Sequence, residues 1–153
     1  MSRGARTTIT AERVLPYLPA DLCRLVGDVR EYPRFIPYLL SLRVVKEEPR
    51  DLGGWDGVAE AIVGWKAIRE RFSTAVRCEP AKGEVEVSLV SGPFHALENR
   101  WRFEACGAGA QVRFWISYQF KNPVLNAVLS ANKDRVAARI MGAFEKEAHR
   151  RLG

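Results

Sequence analysis

From Thr7 to Leu15 the chain is dense in β-branched residues, led by Thr7, Thr8, Ile9 and Thr10, and Pro16 and Pro19 close the run, which predicts an opening strand. After Pro19 the period changes. Leu22, Leu25, Val26 and Val29 fall at i, i+3, i+4 and i+7, the spacing of an amphipathic helix that tolerates a proline in its first turn. Tyr32-Pro33 ends that helix, and a second short helical turn is expected over Arg34 to Leu39, where Pro37 forbids a longer one. From Leu42 to about Phe120 the chain reads as strands separated by Pro49 to Gly54, Glu79 to Gly83 and Gly107 to Gly109. Apolar residues alternate most regularly at Val85, Val87 and Leu89, at Trp101 and Phe103, and from Val112 through Phe114, Ile116 and Tyr118 to Phe120. The intervening positions hold Glu84, Glu86, Arg100, Arg102, Arg113 and Gln119, which predicts an antiparallel meander with one apolar and one wet face.

The last segment carries the clearest helical pattern. Asn122 is a good N-cap, Pro123 takes the first helical position, and Leu125, Leu129, Asn132, Val136, Ile140 and Phe144 form one stripe. One helix of about 29 residues, ~40 Å long, is expected. Its stripe must be buried, and the apolar face of the sheet is the large partner available. A strand, two short helices, a run of about six strands and a long helix is the order of a helix-grip fold. This is an α+β architecture in which a curved antiparallel sheet of about six or seven strands wraps the terminal helix, here as a single domain over residues 1–153. A curved sheet cannot follow a straight helix along its whole length. The gap that results becomes an elongated apolar cavity.

Composition narrows the class. At 153 residues, with 47% hydrophobic and 27% charged positions, the chain can fold alone and bury about two thirds of its unfolded surface. Cys23, Cys78 and Cys106 are widely separated and form no Cys-x-x-Cys pair, which excludes a redox motif or zinc knuckle and fits a reducing compartment. Met1 to Thr10 carries Arg3 and Arg6 but no apolar stretch, so it is not a secretory signal and is short for a transit peptide. A run apolar enough to span a membrane does not occur.

Catalytic chemistry is thinly supplied. Of the two histidines, His95 lies in a proline-aromatic segment and His149 in the polar helical tail, and neither has the company a metal site needs. Nucleophile elbow, dinucleotide turn and P-loop are all missing. A cyclase or dehydratase would need a carboxylate or histidine inside the cavity, and only Glu60 and Glu70 are candidates. No catalytic residue, metal or cofactor is therefore expected.

Two dense segments remain, Asp28-Val29-Arg30-Glu31-Tyr32-Pro33-Arg34-Phe35-Ile36-Pro37-Tyr38 and Ser91-Gly92-Pro93-Phe94-His95-Ala96-Leu97, the second succeeded by Trp101-Arg102-Phe103. Both set prolines and aromatics where a chain bends over an apolar space. With Leu25-Val26-Gly27-Asp28-Val29 and Phe120-Lys121-Asn122-Pro123-Val124-Leu125, they resemble the coenzyme Q-binding protein family, the polyketide-cyclase-like branch of the START lipid-binding superfamily. The resemblance runs over about residues 5–150 and implies the same helix-grip fold. Two departures are Tyr38, where the family commonly has tryptophan, and the glycine-rich turn Gly53-Gly54-Trp55.

The resemblance implies a non-catalytic carrier of ubiquinone, held as a ligand rather than a cofactor. The expected cavity is lined by Tyr32, Phe35, Ile36, Pro37, Trp65, Phe72, Pro93, Phe94, Leu97, Trp101, Tyr118, Phe120, Leu125, Val128 and Leu129. Aromatic faces there would stack on a quinone ring while aliphatic walls take an isoprenoid tail. Ligand would enter between the loops 32–40 and 92–97, with Pro123 to Leu129 as the third wall. Net charge is +6, and residues 121–153 hold seven Lys/Arg against Asp134, Glu145 and Glu147. Lys121, Lys133, Arg135 and Arg139 are accordingly expected to face an anionic membrane surface or ribosomal RNA. Some bacterial members of the family are ribosome-association toxins, so a ribosome-acting interaction protein is the alternative, and an aromatase or cyclase ranks below both. DNA binding is not expected. The expected location is the bacterial cytoplasm, peripheral to the inner membrane if the basic helix docks there, ahead of a mitochondrial matrix.

Overall fold

The opening strand forms where the β-branched run predicts it, as β1 (Thr7–Leu15), and pairs antiparallel with the last strand of the chain. The structure is a computed structural model and describes residues 6–153; Arg3 lies outside them. The remaining strands are β2 (Leu39–Pro49), β3 (Trp55–Trp65), β4 (Ile68–Glu79), β5 (Glu84–Ser91), β6 (Phe94–Cys106) and β7 (Gly109–Phe120). They make one antiparallel seven-stranded sheet in the order β1-β7-β6-β5-β4-β3-β2. Strands β1 and β2, neighbours in sequence, thus lie at opposite edges. The chain between them crosses the concave face.

That crossing is helical. Helix α1 (Pro19–Gly27) buries Leu22, Cys23, Leu25 and Val26 and lies over β4 to β7. Asp28 then leaves helical geometry, Val29 drops into the core, and a 3-10 helix spans Val29–Arg34. The second helical turn was expected over Arg34 to Leu39. It sits earlier because Tyr32-Pro33 lies inside it rather than before it, and residues 35–38 form turns.

The C-terminal helix is two helices. Helix α2 (Pro123–Ala131) starts as expected, with the Asn122 side chain accepting hydrogen bonds from the backbone N–H of Val124 and Leu125. It stops at Asn132, whose side-chain amide donates back to the Val128 carbonyl at 2.8 Å while its own backbone leaves helical geometry. An asparagine side chain offers the backbone this alternative to helix continuation. Helix α3 (Lys133–Leu152) resumes with a reset phase, so its buried apolar residues are Ala137, Met141, Phe144 and Ala148. Asn132 is exposed, and Val136 and Ile140 are half-buried, so the single stripe through all three is corrected. Helix α3 packs along β1 and against α1, and α2 caps the end of β7. Among the described residues no helix is long and apolar enough to cross a membrane.

The sheet's two faces obey the alternation read from the sequence. Val85, Trp101, Phe103, Val112, Phe114, Tyr118 and Phe120 are buried, whereas Arg100, Arg102 and Arg113 are exposed and ion-paired on the other face. Helix α1 is tied to β4 and to the start of β3: the Cys78 thiol donates to the Cys23 carbonyl at 3.7 Å, and Trp55 Nε1 donates to the Gly27 carbonyl at 3.1 Å. Both cysteines are buried, and hydrogen bonding within the pair together with burial pushes the Cys23 thiol up. At the far end of α3 Glu147, only 5% exposed, receives Arg150 at 2.8 Å from Nε and 2.7 Å from Nη2. The Arg150 hydrogen bonds hold its carboxyl below the usual carboxylate range.

Two measurements check this packing. A Cβ added at Gly27 would lie 2.3 Å from Cys78 Sγ, whereas one at Gly142 meets nothing within 4 Å. In urea unfolding, Gly27→Ala should cost ~1–3 kcal/mol, while Gly142→Ala, in an exposed helical interior, should gain ~0.5–1 kcal/mol. Because the folded value of Glu147 is depressed, its contribution to stability is present above the unfolded value of ~4.3 and is lost as pH falls through the folded one. Glu147→Gln should flatten the acid limb of the stability curve in that window and leave its shape near neutrality unchanged.

Candidate ligand-binding site

Antiparallel order brings the two proline-aromatic segments and the start of α2 to one end of the sheet. There β2 begins, β3 ends, β4 begins, β5 ends, β6 begins and β7 ends. The Lys121 N–H donates to the Pro93 carbonyl at 2.8 Å, tying the β5–β6 turn to the entry of α2. The Phe120 N–H donates to the buried Asn126 side chain at 3.0 Å, fixing α2 on β7. Arg139 of α3 donates to the Tyr38 hydroxyl at 3.0 Å, linking the 28–38 segment to the helix layer. The expected loop over 92–97 shrinks to Gly92-Pro93, because Phe94 already belongs to β6. Gly92 has φ +150, and a Cβ there would sit 2.4 Å from that of Phe72, so this tight approach needs glycine.

The expected cavity residues fall into two aromatic groups on the concave side. Deep in the fold, Phe144 of α3 takes edge contacts from Tyr32 at 5.3 Å, Phe35 at 5.4 Å and Trp101 at 4.8 Å between ring centroids. The Tyr32 hydroxyl donates to the Val26 carbonyl, which holds the 3-10 helix against α1. Below this group is a void of about 20 Å³ among Leu15, Leu22, Leu25, Phe103 and Met141. Nearer the end where the two segments meet the start of α2, the mouth of the expected cavity, Phe94 meets Phe72 at 5.1 Å and Phe120 at 4.4 Å, and Tyr118 meets Phe120 at 5.8 Å.

Burial separates these residues into two sets. Trp101, Phe94, Tyr118, Phe120 and Leu125 are buried, whereas Tyr32, Phe35, Ile36, Pro37, Phe72, Pro93, Leu97, Val128 and Leu129 are only half-buried. Trp65, at the tip of β3, is 37% exposed. Helix α3 packs along β1 and α1, so the concave wall of β2 to β5 is left to α1 over β4 and β5, to the 3-10 helix over β2 and to side chains.

Polar groups on this wall are few. Asn99 is satisfied, donating to the Trp115 carbonyl and accepting from Trp101 Nε1, both at 3.0 Å. Thr7 shares a hydrogen bond with Ser130 of α2. The Tyr118 hydroxyl has no hydrogen-bond partner among the described residues although the side chain is 7% exposed, and burial pushes its titration up. Glu60 faces the outer side and pairs with Arg43 at 2.6 Å. Glu70 lies in register with Val63 and two residues before Phe72, on the concave side. His95 stands exposed on β6, and His149 meets the Tyr17 hydroxyl through Nδ1.

A cleft of about 560 Å³, which no local sequence pattern signals, opens at the opposite end between α1, the Gly53-Gly54-Trp55 turn and the C-terminus of α3. Its arginines are matched by carboxylates: Arg24 with Asp21, Arg30 with Glu47 and Arg151 with Asp28. The glycine turn marks a bend, and nothing in its residue types marks a cleft. Lys121, Lys133, Arg135 and Arg139 are all exposed.

Comparison with known proteins matches this architecture. The chain is 28% identical over 148 residues to the ribosome association toxin RatA of Pseudomonas aeruginosa, covering 96% of this chain and 99% of the relative. It is 26% identical to the mitochondrial coenzyme Q-binding protein coq10 of Schizosaccharomyces pombe, covering 90% and 84%. Among solved structures, an 18 kDa protein of Caulobacter crescentus superposes with a TM-score of 0.76 at 39% identity, covering 96% and 97%. The family model described as polyketide cyclase/dehydrase and lipid transport matches residues 15–145. The chain therefore belongs to the polyketide cyclase/dehydrase and lipid-transport family, with the helix-grip fold its START-like relatives share.

Proposed function

We propose that this protein is a non-catalytic carrier of an isoprenoid quinone such as ubiquinone, working in the bacterial cytoplasm. The observation that carries the reading is the half-buried apolar wall at the mouth, Ile36, Phe72, Leu97, Val128 and Leu129, gathered between a curved sheet and helices that cover only part of it. An apolar tail laid on that wall leaves water at ~25 cal/mol per Å², before the cost of immobilising it. Aromatic rings at the mouth offer faces and edges to a quinone ring. The Tyr118 hydroxyl has no hydrogen-bond partner among the described residues, and a quinone supplies carbonyl acceptors. A relative named for coenzyme Q binding supports the same ligand class.

An enzymatic role finds less support. His95 faces away from the wall and Glu60 is committed to Arg43, which leaves Glu70 as the concave carboxylate without a second acid-base group beside it. A second reading, action on the ribosome, is favoured by the relatives named ribosome association toxins and by the exposed basic residues of α3.

Decylubiquinone titrated against tryptophan fluorescence tests the carrier reading. Leu129→Arg should abolish binding in a protein that keeps its circular dichroism, and Tyr118→Phe should weaken it ~3- to 10-fold, the net value of one hydrogen bond. Unchanged affinity in a folded Leu129→Arg variant would misplace the cavity. For the ribosome reading, added protein should reduce assembled ribosomes in lysate sedimentation, and an unaltered profile removes it.

A further inference from the structure

We propose that the mouth end of the sheet is a docking surface for an anionic lipid bilayer, with Trp65 at the tip of the β3–β4 hairpin as its interfacial anchor. The hairpin closes through Trp65 and Ile68 around Lys66-Ala67, and Lys66 holds φ +55, a conformation that non-glycine residues seldom keep. Its ammonium lies 4.6 Å from the Trp65 ring centroid. Trp65 is 37% exposed, Leu40 50% and Val124 68%, and all three belong to this end of the fold. Leu40 stands beside Gly64, where its Cδ1 would be 2.7 Å from an added Cβ, so it adjoins the tryptophan along the same strand pair.

Charge sets this end apart. Among the described residues Lys66, Arg69, Arg71 and Lys121 make no ion pair, and neither do Lys133, Arg135 and Arg139 in the first turns of α3. Arg69 spends one guanidinium nitrogen on the backbone carbonyls of Lys66 and Ile68, at 2.8 and 3.1 Å, and Arg139 reaches Tyr38. The carboxylates here are Glu70 and Asp134. At the opposite end Arg24, Arg30, Arg50, Arg77 and Arg151 are each matched by a carboxylate, and Arg13 turns to the Glu12 carbonyl. The excess positive charge of the molecule is therefore concentrated around the mouth.

Uncompensated cations alone would suit RNA or lipid equally. Interleaving them with an exposed tryptophan and two large aliphatics favours the bilayer, whose headgroup layer accepts amphipathic indoles while its anionic lipids attract Lys and Arg. The surface stands on charge and exposure and does not depend on the carrier reading. If that reading also holds, a quinone tail passes between bilayer and cavity without crossing water.

The test is flotation with vesicles of phosphatidylcholine alone and with about one third phosphatidylglycerol. The wild type should bind the anionic vesicles at least ~10-fold more tightly. A Lys66→Glu/Arg69→Glu variant should lose ~10-fold or more at low salt, and Trp65→Ser a few-fold that persists at high salt. Lys46→Glu/Lys82→Glu, at the other end, should bind as the wild type does. Equal binding to both vesicles, equal damage from the two charge reversals, or indifference to Trp65 would each overturn the proposal, as would capture of ribosomal RNA with no vesicle binding. Decylubiquinone affinity of Lys66→Glu/Arg69→Glu should match wild type; if wild type binds no quinone yet floats with anionic vesicles, the carrier reading fails and the docking surface stands.

Discussion

A sheet that curves through seven strands can be tracked by straight helices only in part, and that mismatch organises the molecule. Helix α3 settles along β1 and α1, where contact is close, and Phe144 fills the junction with Tyr32, Phe35 and Trp101. On the side of β2 to β5 the concave wall is met by α1, by the 3-10 helix and by half-buried side chains instead of by α3. Two aromatic groups thereby lie along one apolar surface: the deep one, around Phe144, closes the core, and the one around Phe72, Phe94 and Phe120 borders the end where Pro93 meets the start of α2.

The same separation governs polar groups. Asn99 and Asn126, which lie within the structure, are each committed to a partner that holds two elements together. Ion pairs congregate on the outer face and at the cleft end, each exposed pair contributing little singly. Around the mouth neither pattern applies, and cations there stay uncompensated beside exposed apolar residues.

Much of this was legible in the sequence, and the failures have local causes. Strand β1 and the meander were readable because a period of two leaves one face apolar, and Val112 to Phe120 preserve it without interruption. The break at Asn132 was not, since its neighbours Leu129 and Val136 continue a helical period across it; only the side chain's bond to Val128 shows why the backbone departs. The 3-10 helix moved because a proline can sit within such a turn as readily as terminate a longer helix. Of the expected site residues, Phe72, Phe94 and Phe120 meet in one aromatic group, and Phe35 joins Tyr32 and Phe144 in another, deeper one. Trp65 was expected on the cavity wall, whereas the hairpin places it at the tip, 37% exposed, and the cleft arises from the juxtaposition of three distant segments that no local pattern records.

The three thiols differ sharply in their access to solvent. Cys106 is exposed, while Cys23 and Cys78 lie sealed between α1 and β4. A thiol-modifying reagent therefore meets one sulfur at once and the other two only when the α1–β4 contact opens. The slower labelling therefore reports how far the core opens, with no foreign probe introduced into the chain.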